Sequence, residues 1–308
     1  MQNSVLKDRA AMFRAARQFF YDRAVLEVDC PIITQKASVD AHIDLITTVD
    51  GQYLHSSPEY GMKRLLSKGV GDIYQLSHVF RSAEIGLKHN PEFMMAEWYR
   101  EGITFQQMID ETIEFIKLFL GDLPIKQASY RDTFLKYTGI DIAQTDLKSL
   151  IVYCDNHNIP LYEGIKDEGL DAFFNLILGH TIEPQLGSQE LFILSHYPAS
   201  QAALARKTTI EGISVAERFE IYFNGVELAN GYHELTDAKE QRQRLHEANR
   251  ERIKLGKTQL PIDENFLKAL ESGLPDSCGV AVGFDRLMML RHNTKDISDV
   301  IPFVWNQA

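Results

Sequence analysis

The chain has 308 residues, 44% of them hydrophobic and 24% charged, with a formal net charge of −11. That length can bury a large core, and this composition excludes a disordered or low-complexity chain. No stretch is long and apolar enough for a membrane span or a secretory leader, so the expectation is a cytoplasmic protein with no membrane partner.

The acidic balance, without a basic cluster, also disfavours nucleic acid as a partner. Cys30, Cys154 and Cys278 are few, odd in number and far apart. They fit reduced thiols better than disulfides or a zinc site.

Over residues 5–23, apolar Leu6, Phe13 and Phe20, helped by Ala10 and Ala16, alternate with Lys and Arg as in an amphipathic helix. Residues 25–31 read as a short strand stopped by Pro31. Runs at 45–49 and 53–56 flank Asp50-Gly51, a hairpin signal. Ser57-Pro58-Glu59 then opens a helix, with Ser57 as N-cap, Pro58 in the first turn and Met62, Leu65 and Leu66 on the buried side. Glu59 in that turn is accounted for by the helix dipole alone.

The most informative stretch is DIYQLSHVFRSAEIGLKHNPEFMMAEWY, residues 72–99. Two runs rich in β-branched and aromatic residues flank a polar loop with Gly86 and Pro91, which predicts two antiparallel strands. Alternation puts Phe93, Met95, Glu97 and Tyr99 on one face and Met94, Ala96 and Trp98 on the other. A strand buried on both sides would not ordinarily take a carboxylate, so the Glu97 face is expected to line a site. Arg81, Lys88 and His89 at its mouth suit an anionic phosphate ligand, which arginine grips bidentately.

Residues 104–206 read as mainly helical, with apolar spacing at 105–120, 145–156 and 168–178. In FEIYFNGVELANGYHE, residues 219–234, Asn224-Gly225 is a two-residue hairpin turn. The register sets Phe223 against Val226 and Tyr222 against Glu227, so Glu220 and Glu227 share a face. Such a pair is either solvated on an open sheet or held by a cation, and Mg²⁺ is commonly bound by one or two carboxylates plus phosphate oxygens. Residues 236–255 form a polar helix whose charges read as a solvated face. Gly279-Val-Ala-Val-Gly283-Phe-Asp-Arg286 is a small-residue strand entering a helix. Glycine there admits close approach to the backbone, and a helix N-terminus with arginine favours phosphate.

FR-x-x-E…HNPEF…EWY resembles motif 2 of the class II aminoacyl-tRNA synthetases in its lysine-enzyme form. The helix, strand and Pro31 at about 5–34 resemble motif 1, and G-x-G-x-D-R at about 279–291 resembles motif 3. With motif 2 at about 72–100 and a helical insertion at about 104–206, the resemblance covers nearly all of 1–308. It implies an α+β fold, an antiparallel β-sheet flanked by helices, and a motif 1 homodimer. One departure is Ala83, where the family carries glutamate, with Glu84 one place later.

The resemblance implies ATP and Mg²⁺ as cofactors. The nucleotide would meet Arg81, Ser82, Ala83, His89, Asn90, Phe93, Glu227, Leu228, Gly283 and Arg286, and Glu220 and Glu227 would hold the metal. Arg81 and Arg286 would be catalytic. Ser57, Pro58, Glu59, Glu97, Tyr99, Asn230 and Glu234 would bind the amino acid, while Tyr232 and His233 stay structural.

Motif 1 begins almost at Met1, with no anticodon-binding module before it, so the sequence resembles the short branch that joins lysine or β-lysine to elongation factor P, with no tRNA expected. Ser57 and Ala281, where the tRNA enzymes tend to carry Ala and Gly, point the same way. The competing readings are a truncated lysyl-tRNA synthetase paralogue making lysyl-adenylate and an inactive regulatory binding module.

Overall fold

A computed structural model describes residues 2–36 and 38–308. The chain divides into two compact units, one of Met1–Asp122 with His233–Ala308 and one of Leu123–Tyr232.

In the first unit the strands Leu26–Glu27, Ile73–Phe80, Glu92–Glu101 and Ser277–Gly283 lie side by side in that order. The first pair is parallel and the others antiparallel. The expected hairpin forms with Val79 opposite Phe93 and Gln75 opposite Glu97. Its apolar face is the core face. Trp98 is fully buried and meets the rings of Phe20 and Phe115, while its indole N–H donates to Glu111 Oε1 at 2.9 Å. These rings come from the helices Asn3–Tyr21 and Phe105–Leu120.

The first helix buries only part of the stripe its spacing predicts, keeping Ala16 and Phe20 and adding Met12 and Phe19. Met12, Ala16, Phe19 and Phe20 are buried, whereas Leu6 and Ala10 are exposed. Positions 6, 13 and 20 repeat every seven residues and drift around a straight helix, so only part of that line can face one neighbour. The strand expected at 25–31 shrinks to Leu26–Glu27, and Ile33–Thr34 pairs with Tyr53–Leu54 instead. The hairpin expected around Asp50-Gly51 is reduced to one bridge, Thr47 with Tyr53.

Buried Arg9 sits on the same helix. Its guanidinium pairs with Asp285 Oδ1, and Asp285 Oδ2 accepts from Met94 N at 2.7 Å. One carboxylate thus ties the first helix, the second hairpin strand and the last helix, Phe284–Arg291.

The helix Ala238–Lys254 is not merely a solvated face. Gln241, Asn249 and Arg252 are buried, and Arg252 Nη1 donates to Asp40 O and Ile43 O at 2.8 and 2.9 Å. Asp44 O in turn accepts from Ser82 N at 2.7 Å, so this helix anchors the segment that braces the hairpin loop.

The second unit carries the strands Ile125–Ser129, Leu191–Pro198, Ile213–Phe223 and Val226–His233 in that order, with Lys207–Ile210 also on Ile213–Phe223. Its helices Tyr130–Thr138, Leu147–Asn156 and Leu170–Ile177 bury Phe134, Cys154, Phe174 and Ile177. Two strands thus lie within the stretch expected to be helical. Leu191–Pro198 is almost wholly buried, and such a short apolar run has no period to separate strand from helix.

In the Asn224-Gly225 hairpin Phe223 faces Val226 and Tyr222 faces Glu227, as its turn requires. A bulge between Glu227 and Ala229 then shifts the register and sets Asn230 opposite Glu220. By strand alternation alone Glu227 and Asn230, three apart, would point to opposite faces; the extra residue brings both to the Glu220 face.

Gly279 lies opposite Tyr99. A Cβ there would come within 2.3 Å of the Tyr99 ring and 2.5 Å of Glu234 Oε1. Both side chains are buried, so neither can give way. Gly279→Ala should therefore lower stability by about 1–3 kcal/mol, read as a lower urea midpoint with unchanged slope.

Candidate active site

The face of Glu92–Glu101 opposite the core was expected to line a site, and the structure places Glu97 there within a cluster of buried carboxylates. Glu97 is 2% exposed. Its Oε1 accepts from the Tyr99 hydroxyl at 2.7 Å and its Oε2 from the Ser57 hydroxyl at 2.8 Å. Two donors offset part of the desolvation cost, which is how a strand buried on both sides tolerates a carboxylate. Burial, followed by the Glu59 charge, pushes the Glu97 carboxyl up to about 7.

The helix Glu59–Leu66 delivers the next pieces. Pro58, not Ser57, occupies its N-cap position, and Pro58 O accepts from Met62 N at 3.0 Å. Ser57 contributes through its side chain, accepting from Glu59 N at 2.9 Å while donating to Glu97. The Ser57 hydroxyl therefore ties the Glu97 carboxylate to the backbone at Glu59.

Glu59 faces inward, and the reason is Lys63 one turn later. Lys63 is 1% exposed, with Nζ 2.7 Å from Glu59 Oε1 and 2.5 Å from Glu234 Oε2. Glu234 enters from the residue after the strand Val226–His233, held by its N–H on Ser277 O at 2.9 Å. Glu234 Oε1 has no hydrogen-bond partner. Burial and the nearby carboxylates raise the Glu234 pKa even though Lys63 opposes them. Burial works against the Lys63 ammonium, but Glu234 and Glu59 more than offset it, so its pKa rises.

Glu59-x-x-x-Lys63 is the i,i+4 spacing of a helical ion pair, and it was the signal available for Lys63 in the sequence. The two positions read as marking the branch, Ser57 and Ala281, meet at one side chain: Ser57 bonds Glu97, and Ala281 lies opposite it in the sheet.

The other end of the strand is cationic. Arg81 Cζ lies 5.1 Å from the centroid of the Phe93 ring, and Arg81 Nη1 is 3.6 Å from Glu84 Oε1. Its Nε is buried without a hydrogen-bond partner among the described residues. Ala83 adopts a left-handed backbone, φ 64°, and the loop turns there so that Glu84 reaches back to Arg81.

Arg286 Nη2 lies 2.8 Å from His89 Nε2, which requires a neutral imidazole accepting at that nitrogen. Burial and then the Arg286 charge lower the His89 pKa in keeping with this. Gly283 leaves room for the arginine, since a Cβ there would only touch Arg286 Cδ at 3.5 Å.

Asn90 stands differently. Its Nδ2 donates to Glu92 O at 2.6 Å and its Oδ1 accepts from Trp305 N at 3.0 Å, so the side chain pins the loop to the C-terminal segment. Phe93 and Glu97, four residues apart on one face, separate the cationic and acidic ends by about 13 Å.

In the second unit, Glu220, Tyr222, Glu227 and Asn230 share a sheet face. Glu220 accepts from Arg218 Nη2 at 2.6 Å and from the Tyr222 hydroxyl. Arg218 also covers the Tyr197 ring at 4.4 Å. Asn230 Oδ1 is buried without a hydrogen-bond partner. The Leu228 side chain is buried, so what that residue can offer a ligand is its backbone at the bulge. Buried His233, left as structural, bonds Asp276 Oδ1 at 2.7 Å.

Among the described residues no helix is long and apolar enough to cross a membrane. Residues 1–307 match the family model for class II tRNA synthetases (D, K and N). The protein named elongation factor P–(R)-β-lysine ligase in Salmonella typhi is 42% identical over 315 residues, covering 98% of this chain and 95% of that protein. The protein of the same name in Edwardsiella ictaluri matches at the same identity and coverage. The chain belongs to the class II tRNA synthetase family.

Proposed function

We propose that this protein activates a lysine-type amino acid, (R)-β-lysine by preference, with ATP and transfers it to a lysine side chain of elongation factor P. The observation that carries this reading is the buried set Glu59, Glu97 and Glu234, an acidic pocket with more negative charge than its own lysine balances. Such a pocket selects a ligand bearing ammonium groups. Relatives at 42% identity over nearly their whole length carry the name of that ligase.

The chemistry is two displacements. The amino-acid carboxylate attacks the α-phosphorus of ATP, forming an acyl-adenylate and releasing pyrophosphate. An acceptor lysine amine then attacks the acyl carbon, forming the amide, losing its proton and releasing AMP. The protein supplies position and charge.

Arg81 neutralises the α-phosphate and the substrate carboxylate, and its unpartnered Nε is a donor in hand for this. Arg286 and His89 bind the distal phosphates, and Phe93 with Arg286 stacks on adenine. Ser82, Ala83 and Gly283 offer backbone to the nucleotide, and Asn90 serves by holding the loop in place. Glu59, Glu97, Tyr99 and Glu234, with Ser57 and Pro58 shaping the turn, take the ammonium groups.

For the second unit we propose that Glu220 and Glu227 hold Mg²⁺, which when bound neutralises phosphate charge. Each oxygen of Glu220 carries one hydrogen bond and keeps a lone pair, and two carboxylates are a normal protein share for this ion. Asn230 Oδ1 is an acceptor suited to an ammonium, and Leu228 offers backbone to the nucleotide. A homodimer is proposed from exposed Leu6, Tyr21, Leu26 and Ile33, apolar side chains near motif 1 that a second copy would cover.

Mass spectrometry of elongation factor P after incubation with the protein and ATP, with α-lysine and (R)-β-lysine in parallel, tests the assignment. A mass gain of one lysine residue, larger with the β isomer, is expected; no gain with either isomer rejects it. Arg81→Ala should cut amino-acid-dependent pyrophosphate–ATP exchange by about 10²- to 10³-fold, and unchanged exchange would remove Arg81 from the site.

Glu97 titrates at about 7 and binds cations as the carboxylate. Amino-acid affinity should therefore rise from pH 6 to pH 8 in calorimetric titrations. Glu97→Gln should flatten that rise, and an equal slope in both proteins would contradict the role of Glu97.

A further inference from the structure

We propose that Lys63 is a resident counter-cation that sets the charge of the amine pocket, so that the pocket is balanced by a ligand bringing two ammonium groups. This rests on the pocket being the site of a lysine-type substrate. The sequence motifs point to the acidic residues; the geometry adds a cation among them.

Lys63 cannot be a mobile placeholder that a substrate ammonium displaces. It is 1% exposed, it projects from the middle of the helix Glu59–Leu66, and its Nζ bridges Glu59 and Glu234 at 2.7 and 2.5 Å. The bridge joins that helix to the residue following Val226–His233 and consumes one oxygen of each carboxylate. Glu234 Oε1 remains without a hydrogen-bond partner, while both oxygens of Glu97 accept only neutral hydroxyls.

Three carboxylates against one fixed ammonium leave two negative charges when all are ionised. A monoammonium ligand would leave a buried charge unbalanced, and a diammonium ligand leaves none. Without Lys63 the empty pocket would hold about one more proton, and a diammonium ligand would have to displace that proton to bind.

The ionisable groups facing this cluster are Glu59 on the helix of Lys63, Glu97 and Tyr99 on the hairpin strand, Glu234, and Cys30, whereas Arg64, the next residue on that helix, is exposed to solvent. The Cys30 thiol is pushed up to about 11 by burial and then by Glu97, and Tyr99 is raised by burial and then by Glu97, so neither ionises near neutrality. Charge adjustment near pH 7 thus falls on Glu97 and Glu234, and Lys63 sets how many protons they retain.

Isothermal titration of α-lysine and (R)-β-lysine into the unaltered protein, Lys63→Met and Lys63→Arg tests this. Titrations between pH 6.5 and pH 9, in buffers of differing ionisation heat, count the protons exchanged on binding. Lys63→Met should bind about tenfold or more weakly at pH 7. It should release about one additional proton per ligand, and the deficit should shrink as the pH rises. Lys63→Arg should keep the proton count of the unaltered protein.

Weaker binding by Lys63→Met with the same proton count and pH profile would reduce Lys63 to packing and overturn the inference, as would unchanged affinity. Should Lys63→Met be too unstable to titrate, the double variant Lys63→Met with Glu59→Gln removes one charge of each sign. It should return to the proton count of the unaltered protein, and an additional proton there would equally overturn the inference. Binding of neither isomer by the unaltered protein would instead reject the proposed substrate itself.

Discussion

The first unit is organised around the confinement of three carboxylates, Glu59, Glu97 and Glu234, in a space closed to solvent. Such groups come from three separate places in the chain and repel one another, so the fold must supply donors to each. Ser57 and Tyr99 do this with hydroxyls and Lys63 with an ammonium. The glycine at 279 is part of the same solution, because the volume its side chain would occupy is filled by the Tyr99 ring and Glu234 Oε1. Helix, hairpin and closing strand are thus fitted to one another around charge. The charge left over is the feature on which the proposed amine site rests.

Asp285 performs the corresponding task behind the sheet. Its two oxygens bind Arg9 from the first helix and Met94 N from the hairpin. Its neighbour Arg286 contacts His89 in the hairpin loop. Successive residues on a helix point about 100° apart, so one turn sends an anchoring acid into the core and an arginine toward the cationic hairpin loop. Asp285 thus holds together segments of all three motifs, which lie far apart in sequence.

The sequence was most legible where local chemistry and tertiary pairing agree. The hairpin Ile73–Phe80 with Glu92–Glu101 and the Asn224-Gly225 turn follow from alternation and turn residues, and the observed registers match them. What stayed hidden depends on partners remote in the chain. Leu191–Pro198 is a strand because Ile125–Ser129 and Ile213–Phe223 flank it, and nothing in its own apolar run says so. The bulge at Leu228 is invisible to a period-two count. Lys63 sat at ion-pair spacing from Glu59, but an i,i+4 Glu–Lys pair is usually a solvated surface feature. Only the arrival of Glu234 and the closure of the strand make it a buried one.

Departures from the family pattern are informative in the same physical terms. Ala83 removes a motif 2 carboxylate, yet the left-handed turn at that residue lets Glu84 face Arg81 from the next position, so the arginine keeps an acidic neighbour. At the other end, Ser57 and Ala281 both act on Glu97, one through a hydrogen bond and one through its place opposite in the sheet. A hydroxyl and a methyl added beside the same carboxylate change where an ammonium can approach it and leave the cationic end untouched. Under the proposed function, selectivity between amino acids that differ only in where an amine is attached falls to the surroundings of Glu97. Under that proposal Arg81, His89 and Arg286 serve the nucleotide and can stay the same whichever isomer is bound.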